Sequence, residues 1–198
     1  MKMKEKVGYH HGDLESALIQ EAKSLVAKYG VEKISLREIA ANVGVSPSAA
    51  YHHFGDKEAL LSAVARVAFE ELGQQMQNAV SGYQGKSLTA ARRRFRATGE
   101  SYVKFARSNR NLFLLAFGPY CQNDNHPKEE TLAWQLLVNS LNELDEWGYI
   151  DRKIRPYAEI LAWSAIHGVS NLVLDELMPD DAVEPLLDAI ELAIRAEK

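Results

Sequence analysis

Apolar residues recur along most of the chain at intervals of three and four positions, which is the spacing of one face of an α-helix. The first such segment has its apolar residues at Leu14, Ala17, Leu18, Ala22, Leu25, Val26 and Tyr29. We expect Asp13 to cap this helix at its start and Gly30 to end it. Because no segment alternates between apolar and polar residues as a strand would, the pattern predicts an all-α fold.

Residues that start and stop helices follow one another closely after this first segment. Ser35 is placed to cap a second helix, which Gly44 ends. Only two residues later, Ser46 and Pro47 occupy the N-cap and first-turn positions of a third helix, which Gly55 is expected to close. The spacing therefore predicts two short helices joined by a tight turn.

Six longer helices are predicted in the rest of the chain, and Asp56 is expected to cap the first of them. They cover residues 57–76, 88–108, 110–117, 127–147, 156–177 and 182–197. We place a domain junction at the start of the first of these six helices. This gives one domain over residues 1–56 and a larger one over residues 57–198.

The composition narrows the classes of function. The chain has 198 residues and a formal charge of −4, which excludes an overall basic surface, so any nucleic-acid surface must be local. The single cysteine, Cys121, excludes an intramolecular disulfide and fits a reducing compartment. No apolar leader follows Met1, and the longest apolar stretch, residues 112–117, is far shorter than the ~20 residues of a membrane span. We therefore expect a cytoplasmic protein.

The two short helices have the residue pattern of a helix-turn-helix. Ala40 is small enough to let the second helix approach the first, and Gly44 can adopt the positive φ that the turn requires. The residues expected to face the core are Ile39, Val43, Val45, Ala50 and Phe54. Those left wholly or partly outward are Pro47, Ser48, Ala49, Tyr51, His52 and His53. Such an exposed short helix can enter the major groove of DNA, and the alternative is an ordinary packed helical hairpin.

Residues 34–61 closely resemble the DNA-binding domain of the tetracycline-repressor (TetR) family. The resemblance rests on the run LREIAANVGVS over residues 36–46 and on the run YHHF over residues 51–54, which Lys57 follows. Further along, the run AWSAIHGV over residues 162–169 resembles the Trp/His-Gly (WHG) signature of one class of TetR-type C-terminal domain. The resemblance thus extends over essentially the whole chain.

This resemblance implies an N-terminal three-helix DNA-binding domain, residues 1–56, and a larger helical regulatory and dimerisation domain, residues 57–198. It implies a transcriptional regulator, a homodimeric repressor that binds a near-palindromic operator in double-stranded DNA and is released by a small-molecule effector. It implies no cofactor, no metal and no membrane association. The alternative is a DNA-binding protein of the same type whose larger domain engages a protein partner.

Charge and resemblance together select candidate DNA contacts. Residues 1–57 hold eight Lys and Arg against seven Asp and Glu, so the rest of the chain is the more acidic part. Lys57 and Arg37 lie in first helical turns, where a bound phosphate would offset the unfavourable interaction of a cation with the helix dipole. Alternatively, both are solvated surface charges. With the positions that the resemblance adds, the candidates are Ser35, Arg37, Ser46, Ser48, Ala49, Tyr51, His52, His53 and Lys57.

The third helix lacks the strongest base-reading side chains. It has no Arg, Lys, Asn or Gln between Ser46 and Phe54, so bidentate contacts of Arg with guanine are excluded there. We expect specificity to come from Ser48, from His52, from contact of Ala49 with a thymine methyl group, and from DNA shape. A histidine that contacts phosphate as imidazolium would strengthen binding as pH falls through about 6.5.

The larger domain has residues suited to sensing and to pairing. An apolar cavity with few polar groups is the general form of a small-molecule site. Its candidate lining residues are Tyr102, Phe105, Phe113, Phe117, Trp134, Leu137, Trp163, His167 and Asn171. Alternatively, the aromatic residues form ordinary core and His167 is a core histidine with satisfied hydrogen bonds. Candidates for a dimer interface, some of which must be monomer core, are Ala158, Ile160, Leu161, Ala165, Gly168, Leu172, Leu186, Leu187, Ile190 and Ile194.

An enzymatic or metal-binding role has little support in the sequence. His10 and His11 stand together without further ligands at a recognisable spacing. No nucleophile elbow, phosphate-binding loop or dinucleotide-binding glycine pattern occurs. We expect the basic run over residues 92–96 to be a solvated face paired with acids such as Glu100, with anion binding as the lesser alternative. The sequence therefore predicts a binding protein and no catalytic activity.

Overall fold

The computed structural model describes residues 11–121 and 131–197. Within these two ranges the chain forms α-helices and no β-strand, which confirms the predicted all-α class. The helices are α1 (His11–Tyr29), α2 (Leu36–Val43), α3 (Pro47–His53), α4 (Lys57–Ser81), α5 (Leu88–Ser108), α6 (Arg110–Ala116), α7 (Leu132–Glu146), α8 (Ala158–Leu174) and α9 (Val183–Ile194). We call α1–α3 the head and α4–α9 the body.

The predicted start signals of the early helices are in place. Ser35, Ser46 and Asp56 cap α2, α3 and α4, because each side-chain oxygen accepts a hydrogen bond from the amide three residues further on, at 3.2, 3.2 and 2.7 Å. Gly44 adopts the left-handed conformation, with a φ of 83°, and ends α2. Local capping therefore fixes the lengths of the two short helices.

Several boundaries differ from the expected ones. α1 begins at His11, so Asp13 lies inside the helix and is not its N-cap. α4 continues to Ser81, because the first residue beyond position 76 that favours a helix end is Gly82. α3 ends at His53, since the next residue is already extended. The last three helices are shorter than predicted at both ends where the structure describes them.

The head packs its three helices around a small core that includes the start of α4. Its buried residues are Leu18, Ala22, Val26, Ile34, Leu36, Ile39, Ala40, Ala50, Phe54, Leu60, Leu61 and Val64. Ala40 is completely buried, which agrees with its expected place between α2 and α3. Val43 and Val45, also expected inside, are half-buried against this core. The arrangement leaves the opposite side of α3 free to face outward.

α4 joins the head to the body, since it packs against α1 at one end and against α5, α6 and α7 along its length. α5 lies at the centre of the body and contacts α4, α7, α8 and α9. Buried side chains of head and body belong to one continuous hydrophobic cluster. Of the helices in residues 11–121 and 131–197, none has the length and apolar character that crossing a membrane requires.

Candidate nucleic-acid interface and ligand cavity

The turn between α2 and α3 holds these helices in a fixed relation. The amide of Val45 donates to the carbonyl oxygen of Ala40 at 2.9 Å, and Gly44 provides the left-handed residue that this turn requires. The Ser46 hydroxyl then caps α3 and lies 3.0 Å from the Ser48 hydroxyl. Both hydroxyls therefore lie at the N-terminus of α3, where its free amides favour an anion.

One side of α3 is buried in the head and the other side is exposed. Ala50 and Phe54 anchor the helix in the core. The exposed candidates on the outer side are Ser46, Ser48, Tyr51 and His52. Ala49 and His53 are half-buried at the margins of that side. α3 thus presents hydroxyl, phenol and imidazole groups outward from a rigid support.

Ser35 and Arg37 lie beside α3, at the N-terminus of α2, and both are exposed. The Ser35 oxygen accepts the capping bond from Glu38 at 3.2 Å, which leaves its own O–H proton to donate. The Arg37 guanidinium lies in the first turn of the helix. Both groups can donate hydrogen bonds to a phosphate without any change in the fold.

Lys57 is more deeply placed than a solvated surface lysine. Its side chain is half-buried, and Nζ donates a hydrogen bond to the carbonyl oxygen of Val31 at 2.7 Å. This bond ties the first turn of α4 to the short connection between α1 and α2. Because an ammonium group has three donors, it can hold this carbonyl and still donate to a phosphate.

The body contains an apolar cavity of about 50 Å³ between α4, α5, α7, α8 and α9. Four of the aromatic residues expected around a cavity line it, namely Tyr102, Phe117, Trp134 and Trp163. In contrast to the expectation, Phe105 and Phe113 are fully buried in the surrounding core and do not line it. His167 and Asn171 are not lining residues either, because they lie behind Tyr102.

Most of the remaining cavity wall was not identified from the sequence. Leu137, also expected there, does line the cavity. The additional lining residues are Phe69, Leu72, Met76, Phe95, Thr98, Gly99, Thr131, Ala133, Ala162, Ile166, Leu187 and Ile190. Phe69, Leu72 and Met76 follow one another on α4 with the spacing of a buried helical face. In the sequence that pattern is indistinguishable from ordinary core. Only the tertiary structure shows which apolar residues line the cavity and which fill the core.

A chain of hydrogen bonds runs from the cavity wall into the body. The Tyr102 hydroxyl oxygen lies 2.8 Å from Nδ1 of His167. Nε2 of the same imidazole lies 3.2 Å from Nδ2 of Asn171, which also donates to the His167 carbonyl oxygen at 2.9 Å. Burial lowers the pKa of His167. Burial also raises the pKa of Tyr102, and a hydrogen bond from Trp163 partly opposes that rise. Both groups are therefore uncharged at neutral pH.

α6 connects the cavity to the head. At its C-terminal end, the Phe117 ring lies 4.9 Å from the Phe69 ring and 4.9 Å from the His167 ring. Near its N-terminal end, the Asn111 side-chain amide donates to the carbonyl oxygen of Ala27 in α1 at 3.0 Å. α6 therefore lies between a ring of the cavity wall and α1.

A second link between cavity and head lies along α4. Lys23 of α1 forms an ion pair with Glu71 of α4. The Ser62 hydroxyl donates to the Tyr120 carbonyl oxygen at 2.6 Å, just after α6. α4 and α6 are thus fastened to each other and to α1 on the side of the body that faces the head.

α8 and α9 expose apolar and small residues. We call this surface the α8–α9 face, and its members are Ile160, Leu161, Ser164, Gly168, Leu172, Ala189, Leu192 and Ala193. Leu192 is 64% exposed and Ile160 is 49% exposed, which is unusual for side chains of this size. Among the candidate interface residues, Ala158, Leu187, Ile190 and Ile194 are instead buried in the protomer, and Ala165 and Leu186 are half-buried.

The basic run of α5 is paired with carboxylates of other helices. Arg92 holds the buried Glu191 of α9 through two hydrogen bonds, at 2.7 and 3.3 Å. Arg96 contacts Asp188 of α9 at 2.7 Å, and Arg94 contacts Glu143 of α7. These pairs connect α5 to α7 and α9. The run is paired as expected, but Arg94 and Arg96 are half-buried and not solvated, and most partners come from distant parts of the chain.

Two family models match the chain. The model described as "Bacterial regulatory proteins, tetR family" matches residues 18–64, which hold most of the head and the start of α4. The model described as "Tetracyclin repressor-like, C-terminal domain" matches residues 95–194, which is half of the chain. The first match includes the helix-turn-helix, and the second includes much of the cavity wall and the α8–α9 face.

Individual proteins resemble the chain over nearly its whole length. YobS from Bacillus subtilis, described as an uncharacterized HTH-type transcriptional regulator, is 22% identical over 184 residues, which are 93% of this chain and 90% of that protein. A solved protein of unknown function from Rhodococcus sp. RHA1 has a TM-score of 0.72 and 29% sequence identity to this chain. The match covers 96% of this chain and 100% of the Rhodococcus chain. RolR, solved in complex with its ligand resorcinol, has a TM-score of 0.63 and 20% sequence identity to this chain. The match covers 91% of this chain and 86% of the RolR chain.

Proposed function

The chain belongs to the TetR family of bacterial regulatory proteins, and we propose that it is a homodimeric repressor that a small-molecule effector releases from its operator. It is a transcriptional regulator with a DNA-binding helix-turn-helix domain. In this proposal residues 1–56 bind the operator, and residues 57–198 sense the effector and form the dimer. The protein acts where the bacterial chromosome lies, in the cytoplasm.

The observation that carries DNA binding is the exposed side of α3 on a rigid turn. In the proposed complex α3 enters the major groove, and the start of α2 and of α4 approach the phosphates. Ser35, Arg37 and Lys57 are the phosphate contacts. The groove-facing set on α3 is Ser46, Ser48, Ala49, Tyr51, His52 and His53. With no Arg, Lys, Asn or Gln on this helix, much of the specificity comes from DNA shape.

Homodimerisation is supported by the α8–α9 face. Large apolar side chains such as Ile160 and Leu192 are exposed there, and small ones such as Gly168 permit close approach of a second helix. A two-fold axis through such a face presents two copies of α3 about 34–36 Å apart, one turn of DNA, to a near-palindromic operator.

Effector release is supported by the cavity and by its links to the head. A ligand between α4, α5, α7 and α8 contacts Phe117, the last residue before the turn that follows α6. Because Asn111 fastens the other end of α6 to α1, a shift of α6 changes the orientation of the head. The effector acts only as far as it binds the released orientation more tightly than the DNA-bound one. RolR, similar in fold, is a protein solved with a small aromatic ligand.

The experiment is a titration of the purified full chain with genomic DNA fragments, including the region upstream of its own gene, at several salt concentrations. We expect salt-sensitive binding to a near-palindromic site. Tyr51→Ala removes an exposed side chain of α3 and should weaken that binding by about ten-fold, a loss of roughly 1.4 kcal/mol. Tyr83→Ala, which removes an exposed tyrosine between α4 and α5, is the matched control and should bind as the wild type does.

Equal binding of all fragments, unchanged by Tyr51→Ala, would contradict the proposal for α3. The effector part is tested separately, by the thermal stabilisation that candidate small molecules confer on the protein. If no small molecule stabilises the protein and a specific protein co-purifies with it, the result favours the alternative, in which the larger domain engages a protein partner.

A further inference from the structure

The hydrogen bonds behind the cavity determine where the proton of the Tyr102 hydroxyl points. Nδ2 of Asn171 lies 2.9 Å from the His167 carbonyl oxygen. A backbone carbonyl only accepts hydrogen bonds, so the atom that faces it must be the NH₂ group of the amide and not its oxygen. This contact therefore fixes the orientation of the Asn171 amide.

The same NH₂ group faces Nε2 of His167 at 3.2 Å. Two N–H donors cannot share a hydrogen bond, so Nε2 must be the unprotonated nitrogen that accepts. Because the imidazole is uncharged, its one proton lies on Nδ1. The contact between Nδ1 and the Tyr102 oxygen, at 2.8 Å, is then a hydrogen bond that the histidine donates.

The Tyr102 oxygen is thus an acceptor toward the protein. The indole N–H of Trp163, which can only donate, also interacts with this oxygen. Among the hydrogen bonds of residues 11–121 and 131–197, none offers an acceptor for the hydroxyl proton of Tyr102. Tyr102 lines the cavity, so the cavity is the open direction for this proton.

We infer that the cavity takes an uncharged, mainly apolar small molecule whose one polar group is a hydrogen-bond acceptor held by the Tyr102 O–H. This inference names the ligand class of the proposed effector site and rests on the proposed function. A carbonyl or ether oxygen fits this description, and a carboxylate does not.

The rest of the wall supports the same class. The Thr98 hydroxyl is already used, because it donates to the Phe95 carbonyl oxygen at 2.7 Å. The lining residues that the structure describes have no charged side chain, so a ligand charge would lose its hydration without finding a partner among them. Trp134 and Trp163, whose ring centroids are 5.6 Å apart, offer an edge and a face to an aromatic ring.

The test compares three probes of similar size by isothermal titration calorimetry on the full chain without DNA. Acetophenone has a carbonyl acceptor, isopropylbenzene replaces that group with an apolar isostere, and benzoate replaces it with a charge. We expect both neutral probes to bind and benzoate not to bind at the same concentrations. In Tyr102→Phe the ratio of acetophenone to isopropylbenzene affinity should fall about ten-fold, the effect of one lost hydrogen bond.

Two further variants test whether the hydrogen bonds from Asn171 through His167 orient the Tyr102 hydroxyl or only stabilise the fold. Asn171→Leu leaves the cavity wall unchanged but frees the imidazole to accept from Tyr102, so the affinity ratio should fall as in Tyr102→Phe. Tyr83→Phe, outside the cavity, should keep the wild-type ratio. Unchanged binding of isopropylbenzene in the variants would show that the cavity has kept its shape.

The inference is overturned if the ratio is the same in wild type and both variants, if benzoate binds as well as acetophenone, or if neither neutral probe binds. The operator titration is run on the same preparations. Intact operator binding with a failed probe test would reject the ligand class alone, whereas loss of specific operator binding in the wild type would reject the proposed function.

Discussion

The ammonium nitrogen of Lys57 lies 2.7 Å from the carbonyl oxygen of Val31 and donates a hydrogen bond to it. This bond joins the body to the head at the point where α4 begins, beside the proposed DNA surface. A side chain that the sequence offered as a phosphate contact or a solvated surface charge therefore also holds the connection between α1 and α2. The two roles predict two separable effects of removing the charge.

Lys57→Met should lower the free energy of unfolding by about 1 kcal/mol, because the Val31 carbonyl loses its donor. If the ammonium also contacts a phosphate, the slope of log affinity against log salt should shrink by about 1 for each protomer. Urea denaturation measures the first effect and operator titrations at several salt concentrations measure the second. Lys86→Met, an exposed lysine between α4 and α5, is the control for loss of charge alone. A salt slope identical to that of Lys86→Met would remove Lys57 from the DNA contacts.

Charges placed on the α8–α9 face should separate the proposed dimer. The double variant Ile160→Glu, Leu192→Glu puts two carboxylates where two exposed apolar side chains now lie. We expect a monomer in sedimentation equilibrium, and operator affinity about 100-fold weaker because the two heads no longer bind together. Leu114→Glu, at an exposed leucine of α6 outside this face, should remain dimeric. A double variant that is still dimeric would place the interface elsewhere.

Two of the three acidic partners of Arg96 on α9, Glu191 and Asp188, should differ in their effect on stability. Glu191 is 4% exposed and is also held by Arg92, so Glu191→Gln should lower the free energy of unfolding by about 2 kcal/mol. Asp188 contacts the same guanidinium from a solvated position, and Asp188→Asn should cost less than about 1 kcal/mol. Denaturation of the two isosteric variants measures the difference. Equal losses would mean that burial does not decide the strength of these pairs.

The head could be predicted from the sequence because its signals are local. Ser35, Ser46 and Asp56 each bond to an amide three residues away, and Gly44 needs only its own φ. Such contacts are visible in a window of a few residues, and the resemblance over residues 34–61 then indicates what the exposed side of α3 does. The predicted end of α4 at position 76 was wrong because no residue there strongly favours a boundary, and that of α1 because Asp13, a common cap residue, lies inside the helix.

The cavity could not be predicted in the same way, because neighbours distant in sequence form it. His167 and Asn171 are one helical turn apart and can be paired from the sequence, but Tyr102, which they orient, lies 65 residues before His167. Phe113 lies within α6 and Phe117 directly follows this helix, and only packing makes the first one core and the second one cavity wall. Spacing identifies apolar faces, and it does not show which of them leave a space between them.

His167 should give the protein a stability that declines on acidification. Its pKa in the folded state is lowered by burial, so the unfolded chain takes up the proton more readily than the native one. Stability is therefore fully present above the unfolded value of about 6.5 and is lost as pH falls below it, with a slope of at most about 1.4 kcal/mol per pH unit for one group. The groups that face the imidazole nitrogens, Tyr102 and Asn171, bring no negative charge that would reverse this sign.

The measurement compares the free energy of unfolding of the wild type and of His167→Gln between pH 7 and pH 5. Glutamine is uncharged throughout this range and all other titrating groups are common to both proteins, so their contributions cancel in the difference. The wild type should lose stability more steeply than His167→Gln as pH falls. Parallel curves would mean that the imidazole takes up its proton equally in the folded and the unfolded chain. The neutral tautomer that directs the Tyr102 hydroxyl into the cavity would then not persist below neutral pH.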